Sequence, residues 1–263
     1  MANKIGWCDQ TWNPITGCSP VSAGCQNCYA KKMACRQKGR NGYDADNPFK
    51  ITFHENRMEQ PSKWRNPRKI FVCSMGDLFH EDVPLEHIFA VWSVMLEHER
   101  HTFMILTKRP ARMADVIKQY PECSLAENIW VGVTAENQQT LDRRVRILTH
   151  IPATVRFVSI EPQLENVEII NGQSNRWAMP TVYDHAGNGI EWTDPGEHYM
   201  PVDWVICGPE SGTGKRTWNP KWGLDLQQQC KSAGVPFYFK QNNWPSWNIP
   251  FGLLVTQEFP EVA

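Results

Sequence analysis

Ile70-Phe71-Val72-Cys73-Ser74 runs without a break into Met75-Gly76-Asp77, and Pro84 then opens a stretch in which Ile88, Val91, Trp92 and Met95 recur at helical spacing. An apolar, β-branched run of this length suits a strand covered on both faces, and proline suits a first helical turn. The same phrase of buried strand, polar tip and helix repeats down the chain. Residues 102–107 lead to the tip Lys108-Arg109-Pro110 and a helix over 111–118, and residues 128–133 lead to Thr134-Ala135-Glu136-Asn137 and a helix through Leu148. Residues 155–160 end at Glu161-Pro162. Residues 204–207 end at Gly208-Pro209-Glu210-Ser211-Gly212 ahead of a helix over about 220–232, and residues 236–239 end at Lys240-Gln241. A further strand fits before Thr16. Alternation of this kind means a parallel sheet with right-handed crossovers. A doubly wound sheet satisfies it too. Because nearly every strand ends in a polar tip, the predicted fold is α/β, a parallel βα barrel, partial or complete, whose tips converge on one site. The predicted organisation is one domain over 1–263, with a cysteine loop near the N-terminus and a long insertion near 166–203 that is rich in Gly, Asn, Asp and Pro.

With 41% hydrophobic and 21% charged residues, the composition excludes a disordered tail, a coiled coil or a fibre. No window holds 18 consecutive apolar residues, and Met1-Ala2-Asn3-Lys4-Ile5-Gly6-Trp7-Cys8 lacks the apolar run of a signal peptide. The expectation is a cytoplasmic protein with no membrane partner. The overall charge of −1 hides a strong asymmetry: residues 1–70 carry twelve Lys and Arg against five Asp and Glu, a net +7, which leaves −8 for the remainder. Such polarity fits a polyanionic partner, or two parts of a fold that attract each other.

Nine cysteines, an odd number without an export signal, argue against a disulfide framework. Cys18, Cys25 and Cys28 crowd into eleven residues of a Gly/Pro/Ser-rich loop, spaced Cys-x6-Cys-x2-Cys just before a predicted helix. Structural zinc wants four closed ligands, commonly as two pairs, so a fourth such as His54 or His80 would have to come from elsewhere. Three thiolates suit an iron-sulfur cubane with one iron left open. Gly212-Thr213-Gly214-Lys215-Arg216 resembles a phosphate-binding loop but lacks its spacing.

The triplet resembles that of the radical S-adenosylmethionine (SAM) superfamily, whose common spacing is Cys-x3-Cys-x2-Cys. More closely, the chain is similar to a phage- and prophage-associated branch of it. The branch's blocks appear in order as Trp12-Asn13-Pro14-Ile15-Thr16-Gly17-Cys18, Ser74-Met75-Gly76-Asp77-Leu78-Phe79-His80, Leu106-Thr107-Lys108-Arg109-Pro110, Gly132-Val133-Thr134-Ala135-Glu136-Asn137 and Gly208-Pro209-Glu210-Ser211-Gly212. Pro209 departs from the glycine more usual there. The resemblance covers about residues 7–242. It implies a 4Fe-4S cluster held by Cys18, Cys25 and Cys28, with SAM on the open iron, cleaved to methionine and a 5′-deoxyadenosyl radical that abstracts a substrate hydrogen. It also implies a flavodoxin- or ferredoxin-like reductant.

The remaining tips are read beside that expectation. Ser74 and Asp77 are candidates for the SAM amino group, or for capping the next helix. Lys108 and Arg109 suit the SAM carboxylate, or a solvated strand end. Thr134, Glu136 and Asn137 suit ribose hydroxyls, with Thr134 as helix cap the competing reading. Glu161 and Glu210 should face the barrel mouth, which Lys240 and Gln241 also approach. His80 reads as a structural loop residue. Trp64, Trp177, Trp192, Trp244 and Trp247 lie in loop-like segments fit to stack on a base. The expected substrate is a nucleic-acid base, such as a hypermodified thymine in phage DNA. The alternatives are a non-catalytic zinc- or iron-sulfur-bearing nucleic-acid binding module and a cluster protein serving electron transfer alone.

Overall fold

The apolar runs assemble into one parallel sheet, seen in a computed structural model that describes residues 5–120, 126–169, 182–183, 189–190, 202–240 and 250–261. In chain order the strands are β1 (Gln10–Trp12), β2 (Ile15–Thr16), β3 (Thr52–Phe53), β4 (Lys69–Val72), β5 (Thr102–Thr107), β6 (Ile129–Ala135), β7 (Arg156–Ile160), β8 (Val182–Tyr183), β9 (Gly189–Ile190), β10 (Trp204–Cys207) and β11 (Phe237–Phe239). The helices are α1 (Tyr29–Arg36), α2 (Leu85–Glu97), α3 (Pro110–Gln119), α4 (Gln138–Leu148), α5 (Pro220–Ala233) and α6 (Phe251–Leu254). Seven strands form the main sheet in the order β1-β4-β5-β6-β7-β10-β11, while β2 pairs with β3 and β8 with β9 in small antiparallel ladders. The order never reverses, whereas a doubly wound sheet turns back at a switch point. Right-handed crossovers stepping always in one direction put their helices on one face. The sheet curls into a half-barrel, and its edges β1 and β11 are not paired with each other. The fold is therefore the partial form of the expected barrel, with β1 as the strand before Thr16.

Side-chain alternation divides the sheet into two apolar layers. Ile70, Val72, Phe103, Ile105, Val131, Val133, Val158 and Ile160 join the buried faces of α2, α3, α4 and α5 in one core. Phe71, Met104, Trp130, Phe157, Trp204, Ile206 and Tyr238 form a second core with Trp7 and Cys8, to which no helix among the described residues contributes. This second cluster floors the concave side. Trp204 meets Trp7, Trp130 and Tyr238 edge-on, with centroids 6.1–6.2 Å apart. Each such ring contributes about 1.5–3 kcal/mol by burial. Gly132 makes the floor possible, since a Cβ there would stand 2.7 Å from the Phe157 ring of the neighbouring strand.

Above the floor the concave positions turn polar at the strands' carboxyl ends, where Thr134 and Ser159 lie side by side in register, both buried. Most of 166–203, together with Trp177, Trp192, Cys123, Gln241, Trp244 and Trp247, lies outside the described residues. Trp64 is spent on packing: it lies against the helix-side core and edge-on to His101, 6.1 Å away. No helix among the described residues is long and apolar enough to cross a membrane.

Candidate cofactor site at the cysteine loop

The cysteine loop is delivered to the strand tips by two glycines. Gly17 has φ +93, and a Cβ on it would sit 2.0 Å from the Lys50 carbonyl oxygen, so only glycine fits. It bridges in parallel to Gly76, and its N–H donates to the Met75 carbonyl at 3.0 Å, which sets Cys18 beside the end of β4. Asn13 locks the same corner, its Oδ1 accepting from the Met75 N–H at 2.8 Å and the Ser74 hydroxyl at 3.2 Å. A single 3-10 turn, Ala23–Cys25, then leads to Cys28 at the start of α1. From there the Tyr29 hydroxyl donates to the Ser74 carbonyl at 2.5 Å and Lys32 Nζ to the Thr213 carbonyl at 2.9 Å. Loop and α1 thus lie across the tips from β4 to the segment after β10.

Four strand tips, those of β4, β5, β6 and β10, reach into the loop through three carboxylate–arginine pairs. At the first, Arg109 donates through Nη1 to Cys18 Sγ at 3.4 Å and to Asp77 at 3.2 Å, and through Nη2 to the Ser19 hydroxyl at 2.9 Å and carbonyl at 3.2 Å. Its Nε lies on both Glu81 oxygens. Asp77 also accepts from the Thr107 hydroxyl at 2.7 Å and from the Phe79 and Lys108 N–H groups. At the second, the fully buried Glu136 and Arg144 pair at 2.9 Å, and Glu136 Oε1 accepts from the Gly24 N–H at 3.2 Å. At the third, Glu210 is paired with Arg216 and accepts from Asn27 Nδ2 at 2.9 Å, while Arg216 Nη1 donates to the Ala23 carbonyl at 3.1 Å.

The electrostatics follow. Burial alone would raise the Glu136 and Glu210 carboxyls, but Arg144 and Arg216 respectively outweigh it and hold both below the usual range. Burial and the Asp77 carboxylate push the Cys18 thiol up to about 11, against the opposing pull of Arg109. His80 Nδ1 accepts from the Asp82 N–H at 3.1 Å, which assigns the proton to Nε2, 2.7 Å from the Ser19 hydroxyl. Burial, then Arg109, keeps its pKa low, so it props the loop as a neutral ring.

Residues 2–250 match a family described as proteins of unknown function, DUF5131. The chain belongs to that family. No curated protein and no solved structure matches it.

In this DUF5131 protein the expected site residues differ in what they are already bonded to. Asp77, Arg109, Glu136 and Glu210 converge on the cysteine loop and are committed to it. Asn137 is committed locally: its Oδ1 accepts from the Thr140 N–H at 2.9 Å and caps α4, the task read as an alternative for Thr134. Asp77 does not cap a helix either, since α2 begins at Leu85 behind Pro84. Lys108 and Thr134 remain open at neighbouring tips, with no side-chain hydrogen bond to another described residue. Glu161 receives Lys240 Nζ at 2.6 and 2.9 Å on the far side of the mouth. Arg144, Arg216, Asn13 and Asn27 escaped the sequence reading. Arg144 had left a signal: it interrupts the apolar stripe Leu141, Val145, Leu148 of α4, where a cation needs a buried partner.

The donor chemistry fits an iron-sulfur cluster. Cys18, Cys25 and Cys28 are free thiols, each half-buried, in one loop at the carboxyl edge of a parallel sheet. They are a donor set rather than an assembled cage, for no group of three His, Cys, Asp or Glu side chains among the described residues is drawn together closely enough to hold a metal ion. His54 and His80, the candidate fourth ligands for zinc, bond Thr16 and Ser19 instead.

Proposed function

We propose that this protein is a radical SAM enzyme in which Cys18, Cys25 and Cys28 hold a 4Fe-4S cluster. The observation that carries the reading is the convergence of four strand tips of a half-barrel on one three-cysteine loop, since βα barrels place their chemistry at that edge. The ordered sequence blocks of the phage-associated branch support it, because the first opens this loop at Cys18 and the other four contribute residues that meet it. Held by Cys18, Cys25 and Cys28, such a cluster would supply one electron, drawn from a flavodoxin- or ferredoxin-like reductant, for reductive cleavage of SAM to methionine and a 5′-deoxyadenosyl radical that would take a hydrogen atom from the substrate.

The chain's own residues divide the remaining work. The Lys108 ammonium is assigned the carboxylate of SAM and the Thr134 hydroxyl a ribose hydroxyl. Glu161 and Lys240 line the opposite side of the mouth, where a substrate would enter. The aromatic floor beneath excludes water from below, which favours a reactive radical reaching only its substrate. The substrate class proposed is a nucleic-acid base, supported by the basic exposed face of α1 beside the cysteine loop.

The test is anaerobic reconstitution with ferrous iron and sulfide, then SAM and dithionite. Brown absorbance, four irons per chain and release of 5′-deoxyadenosine are expected. Cys18→Ala, Cys25→Ala and Cys28→Ala should each abolish all three, while Cys73→Ala and Cys207→Ala retain them. A colourless protein that retains zinc instead would refute the reading.

A further inference from the structure

We infer that the three carboxylate–arginine pairs are positioning residues, one for each cysteine: Asp77–Arg109 for Cys18, Glu136–Arg144 for Cys25 and Glu210–Arg216 for Cys28. The inference rests on the cluster reading for its purpose but not for its geometry. A Gly/Pro/Ser-rich loop carries little order of its own, and here its internal bonds are single turns such as Cys25 N–H to Ser22 at 3.0 Å and Cys28 N–H to Cys25 at 3.3 Å. A ligand set for a metal must nevertheless be held to a fraction of an ångström by groups behind it.

The three pairs meet that need in one pattern. In each, an acid leaves its strand tip and is neutralised by an arginine, and the pair then grips the loop within two residues of a cysteine. Arg109 holds Cys18 Sγ and Ser19, Glu136 holds the Gly24 N–H, and Glu210 holds Asn27. The grips come from the tips of β4 and β5, of β6 and of β10, so the loop is fixed at three separated points along the sheet order. The cations have a second use. Three thiolates brought together repel one another, and fixed guanidinium groups nearby offset part of that repulsion. Arg144 is built for this: Nε and Nη2 are buried without a hydrogen-bond partner among the described residues, a charge kept in place although Glu136 engages only Nη1.

The experiment is residue-resolved amide hydrogen exchange on the full chain without added metal, followed by reconstitution of the same samples with ferrous iron and sulfide. The variants are Arg109→Met, the double variant Glu136→Met with Arg144→Met, and Glu210→Ala. The double substitution avoids stranding a buried charge, and Glu136→Gln with Arg144→Gln serves as the milder check. Each variant should speed exchange about tenfold, one charge-assisted hydrogen bond, at its own segment: 18–19, 24–25 or, for Glu210→Ala, which also loosens Arg216 from the Ala23 carbonyl that accepts from the Gln26 N–H, 26–28. Each should also lower retained iron and alter the cluster's electron paramagnetic resonance spectrum, with Arg109→Lys restoring part of the wild-type signal. Uniformly faster exchange across the three segments and the sheet, or none, would overturn the inference, because the pairs would then be general stabilisers or idle. If the segment-specific pattern appears while wild type takes up no iron-sulfur cluster, the positioning stands and the radical SAM reading falls.

Discussion

Asp77 and Lys108 sit at neighbouring strand tips, yet the carboxylate is filled by four protein donors while the ammonium has no hydrogen-bond partner among the described residues. A ligand can only be bound by a group with capacity left, so the two should respond differently to substitution. Lys108→Met and Thr134→Ala are expected to weaken SAM binding about tenfold each, roughly one hydrogen bond to a charged or polar ligand group, and to leave iron content unchanged. Asp77→Ala should instead cost iron, because it frees Arg109 from the position that reaches Cys18. Calorimetric titration of the reconstituted protein with SAM, beside an iron assay, separates the two. Unchanged affinity in both the Lys108 and Thr134 variants would remove these residues from the cofactor's surroundings.

Among the elements, the strands were legible because each apolar run had to be buried on both faces. The expected strands at 102–107 and 204–207 agree residue for residue with β5 and β10, and the one expected at 128–133 starts one residue before β6 and ends two short of it. Helix α2 begins one residue after its proline. What the sequence could not display was which tip residues turn toward one another, since Glu210 meets Asn27 across 183 positions of chain. The β2–β3 ladder, in a stretch without periodicity, was missed for a related reason: two-residue strands leave no pattern. That ladder carries its own pH dependence. His54 donates its N–H to the Pro14 carbonyl at 2.7 Å, its ring bonds the Thr16 hydroxyl, and burial followed by Arg57 lowers its pKa from 6.5 to about 4. A histidine depressed in the folded state stabilises above its unfolded pKa, and that stability is lost as pH falls from about 6.5 through about 4. His80 and His101 are lowered by burial too and act in the same direction. Denaturant titrations of wild type and His54→Gln across this window should therefore show a smaller acid loss in the variant. Parallel curves would mean His54 titrates as it does in the unfolded chain.

For the whole molecule, the net +7 of residues 1–70 is not consumed by the −8 of the rest. Some of those cations are engaged within the fold: Lys32 on Thr213, Lys50 on Asp44, Arg57 on Asn13 and Lys69 over the Phe259 ring. Lys31, Arg36 and Lys38 are exposed on and just after α1, without an ion pair to any described residue, and exposed Val21, Tyr29 and Met33 lie among or beside them. Since α1 follows Cys28 directly and crosses the strand tips, this face borders the mouth where a displaced base would enter. Apolar and cationic groups together suit a single strand, which offers bases to stack and phosphates to neutralise. Three phosphate contacts to single-stranded DNA correspond to a log–log salt slope of about −2, so affinity should fall roughly 20-fold between 50 and 200 mM salt. Replacing Lys31, Arg36 and Lys38 together by Glu should abolish most of that slope while SAM cleavage without substrate persists, because none of the three touches the cysteine loop or its arginine pairs. Fluorescence anisotropy with a labelled oligonucleotide is the measurement. Binding that ignores salt, or a slope the triple variant keeps, would move the substrate away from nucleic acid, and a free nucleoside entering past Glu161 and Lys240 would then be the chemistry to pursue.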